Sequence, residues 1–143
     1  MRYIYPVKLS KDADGNYLAT SRDIPEALTE GHTRSEALSA MSDALGAALA
    51  GYSIEGKSIP TPTNPKRNEY QVPVAALVAA KIALRNAMAD KGFSNVSLAG
   101  LLGLSESAVR RLVNPDHSSK LEGVIKALSA TGHQIVIEDI ETV

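Results

Sequence analysis

Two stretches hold residue types that do chemistry at recognisable spacings, and both fail on context. Gly51-Tyr52-Ser53-Ile54-Glu55-Gly56-Lys57-Ser58 fits the phosphate-binding pattern G-x-x-x-x-G-K-S letter for letter. That chemistry needs a strand before the loop and a helix after it, so that backbone N–H groups and the helix N-terminus face the phosphates. Here a helical pattern comes before the loop, and Ile59-Pro60-Thr61-Pro62 after it cannot open a helix. Asp12-x-Asp14-x-Asn16 matches the opening of a calcium loop, with Asp23 at the twelfth position. Tyr17 stands where the sharp turn needs Gly, and the bidentate closing Glu is missing, so the stretch reads as a hairpin turn. His32, His117 and His133 have no metal-ligand spacing, and no Ser sits in a nucleophile elbow. The absence of cysteine removes thiolate sites and disulfide scaffolds together. No catalytic residue, metal or cofactor is expected.

The strongest signal runs from Leu98 to Pro115, Leu-Ala-Gly-Leu-Leu-Gly-Leu-Ser-Glu-Ser-Ala-Val-Arg-Arg-Leu-Val-Asn-Pro. Ala99 is small, where two helices would cross closely. Gly103 falls at the turn, where φ > 0 is often required. Leu104 is expected to plug the angle between the helices and Ser105 to cap the second one. Val109 and Leu112 face inward at i, i+3, which leaves Glu106, Ser107, Arg110 and Arg111 outward. That order describes a helix-turn-helix whose second helix presents short polar groups and two guanidiniums. Guanidiniums suit guanine edges or phosphates. Glu106, Ser107 and Arg110 are the expected base contacts; Ser97, Arg111, Ser118, Ser119 and Lys120 are the expected phosphate contacts. The plain alternative is a helical hairpin with an Arg-rich solvated face.

These residues need elements to hold them. Tyr3, Tyr5, Val7 and Leu9 alternate with Ile4, Pro6 and Lys8, the period of a strand, with Pro6 marking it as an edge or bulged one. Residues 17–21 return as a hairpin, and a turn at Asp23-Ile24-Pro25-Glu26 leads to a weaker third strand over 27–32. Thr33-Arg34-Ser35-Glu36 is a capping box that opens a helix with Leu38, Met41, Leu45, Leu49 and Tyr52 on one face. Residues 55–71, with Pro60, Pro62 and Pro65, read as a connector. Pro73 suits a first helical turn, with Leu77, Ala80, Leu84 and Met88 as the buried stripe and Gly92 as the stop. Helical pieces over 97–102, 106–113 and 119–130 follow, and a short strand over 133–137 ends the pattern. The expected class is α+β: a β-β-β-α head over 1–59, a linker over 60–71, and a helical, DNA-binding and dimerising tail over 72–143.

The 143 residues are 44% hydrophobic and 22% charged, enough for buried cores and against global disorder. Net charge is −1, which excludes a wholly basic nucleic-acid coat. The balance is uneven, however. Residues 1–62 carry six Lys/Arg against eight Asp/Glu, whereas residues 81–111 carry five against two. With one Phe, five Tyr and no Trp there is no stacking surface of the RNA-binding kind. No apolar run reaches membrane length and the start lacks an apolar leader core, so the cytoplasm is the expected setting.

The segment around Gly103 resembles the lambda-repressor-like (Xre-type) helix-turn-helix. The whole order sharpens the likeness: Pro-Val in the first strand, Asp-Ile-Pro-Glu-Ala-Leu-Thr at 23–29, Gly31, Thr33, Glu36 and Ala37, a capped Ala/Leu helix, Pro-x-Pro, then this module. That order resembles a HicB-type antitoxin over nearly the whole chain. The resemblance implies a truncated ribonuclease-H-like head that covers the catalytic face of a small, mRNA-cleaving HicA-like toxin. It also implies a tail that represses its own operon as a dimer on a palindromic operator. The acidic surplus of the head, Asp14, Asp23, Glu26, Glu36 and Asp43, would suit a basic partner. The ribonuclease-H likeness implies an inactive relic, because Asp12, Asp14 and Asp23 lie in turns without evident convergence. Two other readings stay open at this point. One is a stand-alone regulator with a ligand-binding head, the other a metal-dependent nuclease.

Overall fold

The computed structural model describes residues 1–141. The described chain divides into two compact units, Met1–Ala75 together with residues 139–141, and Ala76–Glu138. We call them head and tail. The head contains β1 (Ile4–Lys11), β2 (Tyr17–Thr20), β3 (Leu28–Gly31), α1 (Arg34–Ile54) and β4 (Glu69–Pro73). The tail contains α2 (Ala76–Lys91), α3 (Asn95–Leu102), α4 (Glu106–Val113) and α5 (Leu121–Ala130). The mixed α+β composition is as expected.

The head is a four-stranded antiparallel sheet in the order β3-β2-β1-β4. Side chains alternate across a sheet, so the pairs Tyr5↔Val72 and Leu9↔Ala19 set one face. On that face Tyr5, Val7, Ala19 and Val72 are buried, as are Leu38, Met41, Leu45 and Leu49 of α1. The first hairpin turns on Asp12, whose Oδ1 accepts the backbone N–H of Asp14 and of Asn16, each at 2.9 Å. The cap of α1 differs in one detail from the expected box. Thr33 Oγ1 accepts from Glu36 N, but the Glu36 carboxylate reaches one residue further, to His32 N at 2.9 Å. Gly31 is required for a different reason than turn geometry. A Cβ there would lie 2.5 Å from Ala37 N, so β3 meets the first turn of α1 through the missing side chain.

The fourth strand is a finding against expectation. Residues 69–73 fall partly in the stretch read as connector and partly in the expected first turn of a helix, yet they pair with β1 along its first half. Pro73 closes β4, the next helix begins at Ala76, and the head therefore runs to Ala75 instead of ending at 59. Two prolines in one ladder are tolerated for a geometric reason. Val74 N donates to Tyr3 O at 2.9 Å, and hydrogen-bonded pairs alternate along an antiparallel ladder. Pro6, opposite Gln71, and Pro73, opposite Ile4, both fall on the non-bonded pairs. Pro6 marks an edge or bulged strand by composition; β1 is instead interior, but its ladder with β2 begins only at Lys8, so Pro6 meets no strand on that side.

The connector is held by one cation. The Arg22 guanidinium donates to both carboxylate oxygens of Glu69, each at 3.0 Å, and to the carbonyl of Asn64 at 2.7 Å. Asp23 accepts from Thr63 N at 2.9 Å, and Glu69 also accepts from Lys66 N at 2.7 Å. Farther back, the buried Tyr5 hydroxyl donates to Pro60 O at 2.6 Å, and burial pushes that phenol well above its ordinary range.

In the tail, Leu84, Leu98, Val109, Val124 and Ala127 form the fully buried centre. Gly92 (φ 72°) ends α2 as expected, with Phe93 N donating back to Met88 O at 2.9 Å. The strand expected over 133–137 is absent from the single chain: no ladder forms there, and Val136 and Ile137 are 89% and 85% exposed. A lone strand has no partner for its backbone groups, which is why the short apolar run Ile135-Val136-Ile137 is not enough.

Two consequences can be measured. Gly31→Ala drives a methyl into backbone, and we expect a loss of about 1–3 kcal/mol, read as a lower urea midpoint. Glu69 is held below the usual carboxylate range, first by its hydrogen bond from Arg22, and Glu26 likewise by its bond from Tyr52. Folded-state values below the unfolded ones mean stability that is present at neutral pH and lost as pH falls through the folded values. Unfolding followed from about pH 6 to about pH 3 should therefore show a modest acid loss, and Glu69→Gln should reduce it.

Candidate nucleic-acid interface and the surfaces of the head

The α3–α4 pair is built from local signals. Ser94 caps α3, with its hydroxyl accepting from Ser97 N while Ser97 Oγ accepts from Ser94 N at 2.8 Å. Gly103 takes the left-handed conformation (φ 68°) that a side chain would strain, and it ends α3. Ser105 then caps α4 through Ala108 N. Ala99 and Leu98 are buried beside Val109, as the spacing predicts. Leu104 does not plug the angle; it is 45% exposed, and its backbone N instead closes the end of α3 on Ala99 O.

The outward face of α4 carries Glu106, Ser107, Arg110 and Arg111, all exposed. Glu106 accepts from Arg110 at 2.7 Å across one turn. In solvent such a pair is worth only a few tenths of a kcal/mol, so it orders the guanidinium without locking it. Both charges suit their ends of the helix dipole. Among the expected phosphate contacts, Ser118 and Lys120 are exposed, and Lys120 heads α5, whose first turn has no side-chain cap. Ser97 is exposed but spends its hydroxyl on the α3 cap. Ser119 is turned inward to a residue that sequence reasoning missed.

That residue is Lys81 in α2, which is 0% exposed. Its ammonium donates to the carbonyls of Arg111 (3.0 Å), Asn114 (2.9 Å) and His117 (2.5 Å) and to Ser119 Oγ (2.8 Å). Burial lowers its pKa from the ordinary lysine value. Arg85, one turn on, donates to Val113 O at 3.1 Å. A signal existed: Leu77, Lys81, Leu84 and Met88 run at spacings of 4, 3 and 4, so this lysine lies on the apolar stripe itself.

In the head, the five acids expected to meet a partner divide. Asp23 holds Thr63, Glu36 caps α1, and Glu26 accepts the Tyr52 hydroxyl, which is pushed up to about 12 by that bond. Those three are committed inside the unit; Asp14 and Asp43 are exposed. The averaged acidity also conceals a basic region. Lys11, Arg34 and Arg67 line an open depression of about 570 Å³ with Tyr17 and Tyr70. The ammonium of Lys11 and the guanidinium of Arg34 lie 5.6 and 5.9 Å from the Tyr17 ring centre, distances at which cation–π attraction acts.

The two tempting motifs resolve as turns and ends. Gly51–Ile54 is the last turn of α1, Gly56 (φ 74°) ends it with Lys57 N on Tyr52 O, and Lys57 pairs with Glu55. No helix follows until Ala76. Among the described residues no three His, Asp or Glu side chains gather as a metal site would need, and no helix is long and apolar enough to cross a membrane.

Residues 4–83 match a family described as HicB_like antitoxin of bacterial toxin-antitoxin system. Antitoxin HicB 2 of Photorhabdus laumondii is 41% identical over 92% of this chain and 92% of its own length. Antitoxin HicB 1 of the same organism is 38% identical over 93% of this chain and 84% of its own length. Antitoxin HicB of Escherichia coli K12 is 34% identical over 92% of this chain and 95% of its own length. With more than half its length matched by the family and relatives of this identity spanning head and tail alike, the chain belongs to the HicB-like antitoxins of bacterial toxin–antitoxin systems.

Proposed function

We propose that this protein is a two-part, non-enzymatic cytoplasmic antitoxin. The head binds and occludes a small HicA-like, RNA-cleaving toxin, and the tail represses the protein's own operon. The observation that carries the reading is the length of the likeness: relatives named antitoxin run through both units. Occlusion needs surface and no chemistry. The head has surface to give in Leu28 and Ile54, both more than half exposed, and in Asp14 and Asp43. Its other expected carboxylates already hold its own backbone and side chains.

In this reading the tail is a helix-turn-helix and α4 enters the major groove, with Arg110, Glu106 and Ser107 toward base edges. Arg111, Ser118 and Lys120 take phosphates, helped by the uncapped N-terminus of α5. A single module of this kind binds weakly, so two copies on half-sites about one DNA turn apart do the reading. Residues 133–137, with Val136 and Ile137 exposed and no ladder in the single chain, pair with their twin across the dimer axis.

The toxin arm is tested by expressing the neighbouring short open reading frame with and without this protein. Growth arrest by the first alone, relieved by the second, is the expected outcome; no relief removes the antitoxin reading. The DNA arm is tested by affinity for the region upstream of its own gene. Arg110→Ala should lose about 1–3 kcal/mol there and relax specificity. Lys120→Ala should weaken all duplexes alike and reduce the salt slope by about 1.

A further inference from the structure

The buried ammonium of Lys81 is an expensive choice. A charge taken out of water costs several kcal/mol unless the interior supplies partners, and no carboxylate is among these partners. What surrounds it is carbonyl oxygen from one short stretch of chain. The last carbonyls of a helix have no helical N–H to accept from. At the end of α4 the deficit is deepened by Pro115, which lacks the N–H that would otherwise serve Arg111 O. Lys81 serves that oxygen, and with the same nitrogen it holds Asn114 O and His117 O in the loop that follows. Ser119 Oγ closes the set, with His117 Nδ1 3.2 Å away from it. The negative end of the α4 dipole points at the ammonium, which compensates part of its desolvation.

The stretch bound in this way joins two groups of side chains. Before it stand Glu106, Ser107 and Arg110; immediately after its last ligand stands Lys120, with Ser118 inside it. We infer that Lys81 is a specificity-determining, positioning residue, which fixes the 114–119 loop against the end of α4 and so sets base-reading and phosphate-gripping side chains in register. The inference rests on the operator-binding reading above. Lys81 itself touches no DNA, because it is wholly buried. Ser119, by the same geometry, is a ligand of Lys81 and not a phosphate contact.

The test uses the full chain and two duplexes of equal length and composition at one salt concentration: the region upstream of its own gene, and a scrambled version. Non-specific binding tolerates loose geometry, whereas specific binding requires the register. Lys81→Met keeps the aliphatic stem and removes every donor. It should bind the upstream duplex roughly tenfold more weakly, about the worth of one base contact, and the scrambled duplex within about twofold of the wild type. Ser119→Ala removes one ligand and no charge; a loss of about threefold for the upstream duplex alone, with its thermal midpoint near that of the wild type, supports the inference. The double variant should be no worse than Lys81→Met, since the two residues act through one network. An unchanged ratio of the two affinities in both single variants overturns the inference. So does an unchanged ratio in Ser119→Ala alone, should Lys81→Met fail to fold. A wild-type protein with no preference for the upstream duplex instead removes the operator-binding reading on which the inference stands.

Discussion

Every polar group that a fold takes out of water must find a partner, and in both units of this protein one cation meets much of that demand. In the head Arg22 holds Asn64 and Glu69, and so turns a proline-rich stretch back toward β1 as a fourth strand. In the tail Lys81 collects the oxygens left over where α4 ends. The choice of cation matches the setting. A planar guanidinium grips a carboxylate with two parallel bonds at a partly exposed edge, and a compact ammonium fits inside a ring of carbonyls. Among the described residues no buried side-chain nitrogen or oxygen lacks a partner.

Charge is used differently from what its totals suggest. Net −1 averages an acidic head and a tail with five cations against two acids between residues 81 and 111. Within each unit, though, the charges divide again into those that hold the fold and those that face outward. Asp23, Glu26, Glu36, Arg22, Glu69 and Lys81 are internal fastenings. Arg110, Arg111, Lys120, Asp14 and Asp43 remain at the surface. The basic depression around Tyr17 shows that even a net acidic unit can present cations locally.

What could be read in advance was local. The cap at Thr33, the left-handed Gly103, the cap at Ser105, the stop at Gly92 and the hairpin on Asp12 each depend on residues within about five positions of one another. Where expectation and structure part, the deciding contact is distant along the chain or absent from it. β4 is short and bordered by proline, and only pairing with β1, more than sixty positions away in register, makes it a strand. Residues 133–137 have strand composition but no partner in their own chain. Leu104 looked like a core residue from its place between two helices, and the packing of Leu98 against Val109 leaves it outside.

By itself the sequence determined the α+β division, the bounds of the five helices to within about three residues, and the outward set on α4, because spacing and capping act through neighbours along the chain. The tertiary structure alone decided which charges were free. Arg22 and Glu69 are separated by 47 positions, and Lys81 and Ser119 by 38. No period or motif links such pairs; they meet because a carboxylate or a carbonyl facing inward costs more alone than a long side chain costs to order against it.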